Sequence, residues 1–171
     1  WEESASGNFR TRESSVTDEN DYAIAILSGG DSIASILTTS QQPLYNCWRD
    51  IRFTSTTSYL CAFGQRTQIF RCEFTDWGGS TYGVYPNTYT MMEGCYVYNN
   101  WQGTDSAGIY TNSAGQMIMN CVIEKCSGDG VEAVGNGMRV VNCIIRNCLG
   151  SAIHAGGTSR AQTFTNNTLI G

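Results

Sequence analysis

Proline is almost missing from this chain: there are 2 in 171 residues, beside a single histidine, His154. Charge is also scarce. Asp, Glu, Lys and Arg together make up 15%, against about a quarter in an ordinary soluble domain. A helical bundle wants Ala, Glu, Lys and Leu, so that class is disfavoured. The formal net charge is −5 and the pI about 4.7, with no basic stripe, so nucleic acid is not an expected partner. No apolar run approaches the ~20 residues of a membrane helix, and no membrane span is expected. There is no C-x-x-C, which with one histidine leaves a zinc site without its usual ligand spacing. A signal-peptide pattern is also lacking. The chain begins at Trp1 and its last residues read as a strand entering a turn, so a longer parent protein is the expectation.

What is present is turn-forming and strand-forming. Glycine numbers 19, and Asn, Ser and Thr supply much of the polar content, as in a strand-rich chain with many tight bends. A repeat runs through most of it. Trp48-Arg49-Asp50-Ile51-Arg52-Phe53 aligns with Ile69-Phe70-Arg71-Cys72-Glu73-Phe74 and with Met92-Glu93-Gly94-Cys95-Tyr96-Val97. It returns as Ile118-Met119-Asn120-Cys121-Val122-Ile123, as Val140-Val141-Asn142-Cys143-Ile144-Ile145, and as Phe164-Thr165-Asn166-Asn167-Thr168-Leu169. Successive starts differ by 21, 23, 26, 22 and 24 residues. A second apolar column follows at Phe63, Val84, Ile109, Val131 and Ile153.

A period of this size suits a β-solenoid or a leucine-rich repeat. Leucine is scarce, and the apolar positions are Ile, Val, Phe and Cys at period 2. The fold expected is therefore all-β, a parallel β-solenoid of about six coils of 21–26 residues, stacked at the ~4.8 Å spacing of a sheet. Residues 21–171 make up the solenoid, and polar residues 1–20 read as an N-terminal arm. The 8 cysteines then become a ladder: Cys72, Cys95, Cys121 and Cys143 share one inward column, continued by Asn167. In-register stacking keeps equal Cβ atoms farther apart than the ~3.8 Å of a disulfide, so free thiols packing as small hydrophobes are expected there. Cys126 and Cys148, near bends in adjacent coils, are where a disulfide would form if any does.

The stretches "VVNCIIRNCLGSAIHA", "IMNCVIEKCSGDGVEA" and "FTNNTLIG" resemble the right-handed parallel β-helix repeat family, the pectate-lyase-like superfamily, over roughly residues 44–171. Ala23–Ile33 resembles the lead-in of such proteins. The resemblance implies a right-handed solenoid and says little about activity. Polysaccharide lyases and hydrolases on this fold use clustered carboxylates, often with calcium, and a basic residue on one outward strand. Here the acids are dispersed. The nearest set, Asp105, Glu124, Asp129 and Glu132, falls on different columns of two coils. Tyr82-Gly83-Val84-Tyr85-Pro86-Asn87 is similar to the YG-x-DPH motif of alginate epimerases, but Tyr85 and Asn87 replace its Asp and His, so that activity does not carry over.

Period 2 also fixes the outward columns. They are Arg52, Glu73, Tyr96, Val122, Ile144, Thr168; then Thr54, Thr75, Tyr98, Glu124, Arg146; then Tyr85, Tyr110, Glu132, His154. Glu124 and Arg146 should be stacked neighbours, most simply a cross-strand ion pair, and they are the sole, weak catalytic candidates. Tyr85, Tyr96, Tyr98, Tyr110 and Trp101 are the ligand or interface candidates, since tyrosine faces stack on sugars or anchor protein contacts. Residues 100–106 and Asp76-Trp77-Gly78-Gly79 are candidate covering loops. No metal or cofactor is expected, calcium being the one the resemblance allows. Two functions follow. One is a structural or interaction protein, extracellular or on a cell or virion surface, of adhesin, tail-spike or filament type. The other is a carbohydrate-binding or polysaccharide-cleaving domain. The partner is a polysaccharide or a protein surface, and a homo-oligomer is compatible with either.

Overall fold

The computed structural model describes residues 10–13, 25–28, 46–56, 60–78, 82–100, 107–156 and 160–171. Its strands follow in chain order. β1 (Arg10–Glu13) and β2 (Ala25–Ser28) precede the repeats. The first coil is β3 (Cys47–Arg49), β4 (Ile51–Thr56) and β5 (Cys61–Ala62). The second is β6 (Gln68–Phe70), β7 (Glu73–Trp77) and β8 (Tyr82–Tyr85). The third is β9 (Met91–Glu93), β10 (Tyr96–Tyr98) and β11 (Ala107–Thr111). The fourth is β12 (Met117–Met119), β13 (Val122–Glu124) and β14 (Val131–Ala133). The fifth is β15 (Arg139–Val141), β16 (Ile144–Arg146) and β17 (Ile153–Ala155). β18 (Thr163–Thr165) and β19 (Thr168–Ile170) begin a sixth.

The coils stack into three sheets. Sheet A runs β1-β2-β4-β7-β10-β13-β16-β19, sheet B β17-β14-β11-β8-β5, and sheet C β18-β15-β12-β9-β6-β3. Every pairing is parallel except β1 with β2. Five complete coils and two strands of a sixth agree with the number expected from the repeat. The registers Trp48↔Ile69↔Met92↔Ile118↔Val140↔Phe164 are those of the sequence alignment. β2, inside the expected lead-in, pairs in parallel with β4. Arg10–Glu13, within the stretch read as a polar arm, forms an antiparallel strand on β2.

Period 2 places one set of side chains inside. Phe53, Phe74, Val97, Ile123 and Ile145 are fully buried, as are Ile69, Met92, Ile118 and Val140, and Val84, Ile109 and Val131. Phe53 and Phe74 stack with centroids 5.0 Å apart. Cys72, Cys95, Cys121 and Cys143 are each 1% exposed and all eight cysteines are free thiols, Cys126 and Cys148 included. Asn167 continues the cysteine column by hydrogen bonding: its Oδ1 accepts from the Cys143 amide (2.9 Å) and its Nδ2 donates to the Val140 carbonyl (2.9 Å).

The corners are made by left-handed residues. Between sheets C and A they are Asp50, Arg71, Gly94, Asn120, Asn142 and Asn166, with φ of 50–64°. Asn tolerates this region because its short amide can bond locally. Here the amides bond along the stack: Asn142 Nδ2 donates to Asn120 Oδ1 (2.7 Å) and Asn166 Nδ2 to Asn142 Oδ1 (3.0 Å). Arg71 grips Asp50 with two 2.7 Å bonds in the same corner.

Two expectations are corrected. Cys61, not Phe63, pairs with Val84, a slip of two residues that keeps Phe63 on the buried face. The run Leu60-Cys61-Ala62-Phe63 offers two in-phase apolar positions, so periodicity cannot choose between them. Asp76-Trp77 is not a covering loop either. Both belong to β7, and Trp77 is fully buried against Gly83, where an added Cβ would lie 2.7 Å from its ring.

Candidate functional site

Two outward faces carry chemistry. On sheet A the columns align as expected, Arg52↔Glu73↔Tyr96↔Val122↔Ile144 and Thr54↔Thr75↔Tyr98↔Glu124↔Arg146. Opposite charges one coil apart meet: Arg52 Nε lies 2.5 Å from Glu73 Oε2, and Arg146 Nε 2.5 Å from Glu124 Oε2. The hydroxyl of Tyr96 donates to the other Glu124 oxygen, Oε1. Glu124 is therefore held on both oxygens, and its side chain is 6% exposed. The Tyr96 hydrogen bond, and then Arg146, pull its carboxyl below the usual range against the effect of burial. Burial first, and then the Glu124 carboxylate, push the Tyr96 phenol up to about 12. Both shifts describe one donor and one ionised acceptor.

The rings of Tyr96 and Tyr98 stack with centroids 4.2 Å apart. Ile144, 40% exposed, and half-buried Val122 border them. Thr75, although in an outward column, is 3% exposed. At the end of the strands Asp76 receives Thr54 Oγ1 (3.3 Å) and the Asn99 amide.

On sheet B, Tyr85 stands beside Tyr110, which pairs with Glu132 and then His154. Tyr82 stacks on Tyr110 at 5.4 Å and 11°, and Tyr85 leans on both at 5.5 and 6.0 Å. Asn112 and Ser113 (3.3 Å) hold the Tyr85 hydroxyl. Asp129 lies before the strand and reaches back: its Oδ2 takes the His154 Nδ1 hydrogen at 2.9 Å, and its Oδ1 takes the Ser151 amide at 2.6 Å. Burial raises the Glu132 carboxyl, helped by the Asp129 charge and opposed by His154. Three polar groups thus stand at the end of a tyrosine stack.

The structure brings together Tyr96, Tyr98, Glu124 and Arg146 on sheet A, and Tyr85 and Tyr110 on sheet B. Trp101, residues 101–106 and Asp105 lie outside the described residues. The acidic set read from sequence is divided: Glu124 faces out from sheet A, while Glu132 belongs to sheet B and Asp129 to the corner before it. Two participants were missed. Tyr82 shares parity with buried Val84, but it is the first residue of its strand and its ring joins the outer stack. The Asp129–His154 contact spans a corner, where strand periodicity carries no signal. Among the described residues no three of His, Cys, Asp and Glu gather as a metal would require, and no helix is long and apolar enough to cross a membrane.

Stacked parallel coils with inward ladders and left-handed corners define a β-helical solenoid. A family model described as a right handed beta helix region matches residues 45–171. The chain belongs to that family. No curated protein and no solved structure matches it.

Proposed function

We propose that this chain is an extracellular or surface-displayed β-solenoid with an interaction role, of adhesin, tail-spike or filament type, which holds a polysaccharide against its tyrosine faces. The observation that carries this reading is the contrast on sheet A between satisfied charges and available rings. Glu124 binds Arg146 and Tyr96, and Arg52 binds Glu73, so neither pair offers a free acid or base. The paired rings of Tyr96 and Tyr98, and those of Tyr82, Tyr85 and Tyr110, present apolar surface with polar tips. Such surfaces suit sugar rings and need little side-chain ordering on binding.

Equilibrium binding of the whole chain to a panel of neutral and acidic polysaccharides tests this. Binding to at least one is expected, with Tyr98→Ala or Tyr110→Ala weakening it about tenfold, the ~1.4 kcal/mol of a modest anchor residue. Absence of binding across the panel would overturn the reading.

Polysaccharide cleavage is the second reading, favoured by the Asp129–His154 hydrogen bond beside Glu132, the register partner of His154. A carboxyl raised by burial beside a histidine held by a carboxylate is a usable acid–base arrangement. Release of new reducing or unsaturated ends, lost in His154→Ala with binding retained, would place the enzyme reading first.

A further inference from the structure

Cys126 and Cys148 stand apart from the cysteine ladder. Each follows by two residues a member of the paired Glu124↔Arg146, so they are neighbours in adjacent coils. The Leu149 amide, bonded to the Cys126 carbonyl at 3.0 Å, fixes that relation. Their side chains occupy the corner after sheet A, just beyond the left-handed residues Lys125 and Asn147. They lie over glycines: an added Cβ on Gly108 would be 2.7 Å from Cys126 Sγ, and one on Gly130 would be 3.3 Å from Cys148 Sγ. Each thiol points to a carbonyl of its own coil, Cys126 Sγ to Glu124 at 3.8 Å and Cys148 Sγ to Arg146 at 3.5 Å.

Their exposure differs. Cys126 is 1% exposed, whereas Cys148 is half-buried and followed by Leu149 at 85% exposed. Cys72, Cys95, Cys121 and Cys143 are as buried as Cys126. Cys47 is exposed, but its register partner is Gln68, not a thiol. Cys126/Cys148 is therefore a thiol pair in adjacent coils, with one member half-open to solvent and the other buried.

We propose that Cys126 and Cys148 form a hydroperoxide-reactive dithiol, with Cys148 as the attacking sulfur and Cys126 as the resolving one. The Cys148 thiolate attacks the terminal peroxide oxygen. The O–O bond breaks, Cys148 becomes a sulfenic acid, and the departing alkoxide or hydroxide takes up the proton that the thiol lost. The Cys126 thiol then displaces hydroxide from that sulfur, forming the disulfide and releasing water. Two electrons pass from the sulfurs to the peroxide, so one peroxide is reduced per disulfide. Residues at a corner can rotate their side chains toward each other, unlike those in the strand ladder, whose sulfurs are held in register. The neighbouring Cys126 draws the Cys148 thiol down to about 7, and the nearness of Cys148, with burial, keeps the Cys126 thiol protonated. This assignment of roles does not depend on the polysaccharide reading.

The test is hydrogen peroxide added to the whole chain at neutral pH, followed by intact mass and peptide mapping. The expected product has lost two hydrogens and links Cys126 to Cys148. In Cys126→Ser, a sulfenic acid at Cys148 should persist and be captured by a 1,3-dione. Cys148 should react about five times faster at pH 7 than an ordinary exposed thiol, a balance of about fifty-fold more thiolate against about tenfold lower nucleophilicity. Its rate should rise through pH about 7. Brief alkylation of the unmodified protein supplies a readout that needs no variant to fold, and Cys148 should be labelled first. A different pairing, a sulfenic acid elsewhere, or Cys148 labelling no faster than Cys47 would overturn the proposal.

Discussion

Glu124 is where the outward chemistry of sheet A converges, because one carboxylate satisfies a phenol and a guanidinium on adjacent coils. Removing it leaves the half-buried Tyr96 hydroxyl without its acceptor. Glu124→Ala should therefore lower stability by about 1–3 kcal/mol, the usual cost of a lost charged hydrogen-bond partner, read from the urea midpoint. The pH dependence has a definite sign. The folded state holds the Glu124 carboxyl below its ordinary value of 4.5. Its contribution is present above that value and disappears as pH falls through the lower folded value. Asp50, held down chiefly by its Arg71 hydrogen bond, acts in the same direction. Urea midpoints measured from pH 6 downward should fall below pH 4.5 in the natural chain, and less steeply in Glu124→Gln.

At the scale of strands and corners, the glycine column of sheet B is tightly constrained. Gly83, Gly108 and Gly130 stand one above another before the strands' central apolar residues. A Cβ on Gly108 would fall 2.7 Å from Cys126 Sγ and 2.9 Å from the Gly130 carbonyl; one on Gly130 would fall 2.4 Å from Ile145 Cγ2. Backbone cannot yield as a side-chain tip can, so Gly130→Ala and Gly108→Ala should each cost about 1–3 kcal/mol. A thermal melt of each variant checks this. The registers of sheets A and C were legible in the sequence because one apolar residue marks each strand and parity fixes its face, as with Cys121 and Ile123. The start of sheet B was not, since Leu60–Phe63 is apolar throughout. The sites follow the same division. Tyr96, Tyr98, Glu124 and Arg146 lie in one sheet, and their proximity is a matter of counting. Asp129 and His154 meet across a corner, where the path of the chain depends on left-handed residues and not on alternation.

Across the whole molecule, each coil touches little beyond its two neighbours, so stability is a sum of coil and interface terms. Burial is uneven along the rod. Ile109, Ile118 and Ile123 are fully buried in the third and fourth coils, while Phe164 and Leu169 are 40% and 52% exposed. Amide hydrogen exchange should be slowest in β11 to β13 and fastest in β18 and β19, with a graded profile between. Uniform protection along the rod would show instead that all coils open together.

The amide ladder of Asn120, Asn142 and Asn166 has a consequence for how such a molecule changes length. Each of these three corners presents the same amide to the next, so within this stretch a coil reads its neighbour without regard to which coil it is. Excising the 22 residues that separate Ile118 from Val140 would set Asn142 in the place of Asn120 and keep its bond to Asn166. Growth and shrinkage by duplication or loss are thereby quantised in whole turns, each moving the far end by ~4.8 Å while preserving which residues face outward. An insertion of any other size has to bulge from a bend.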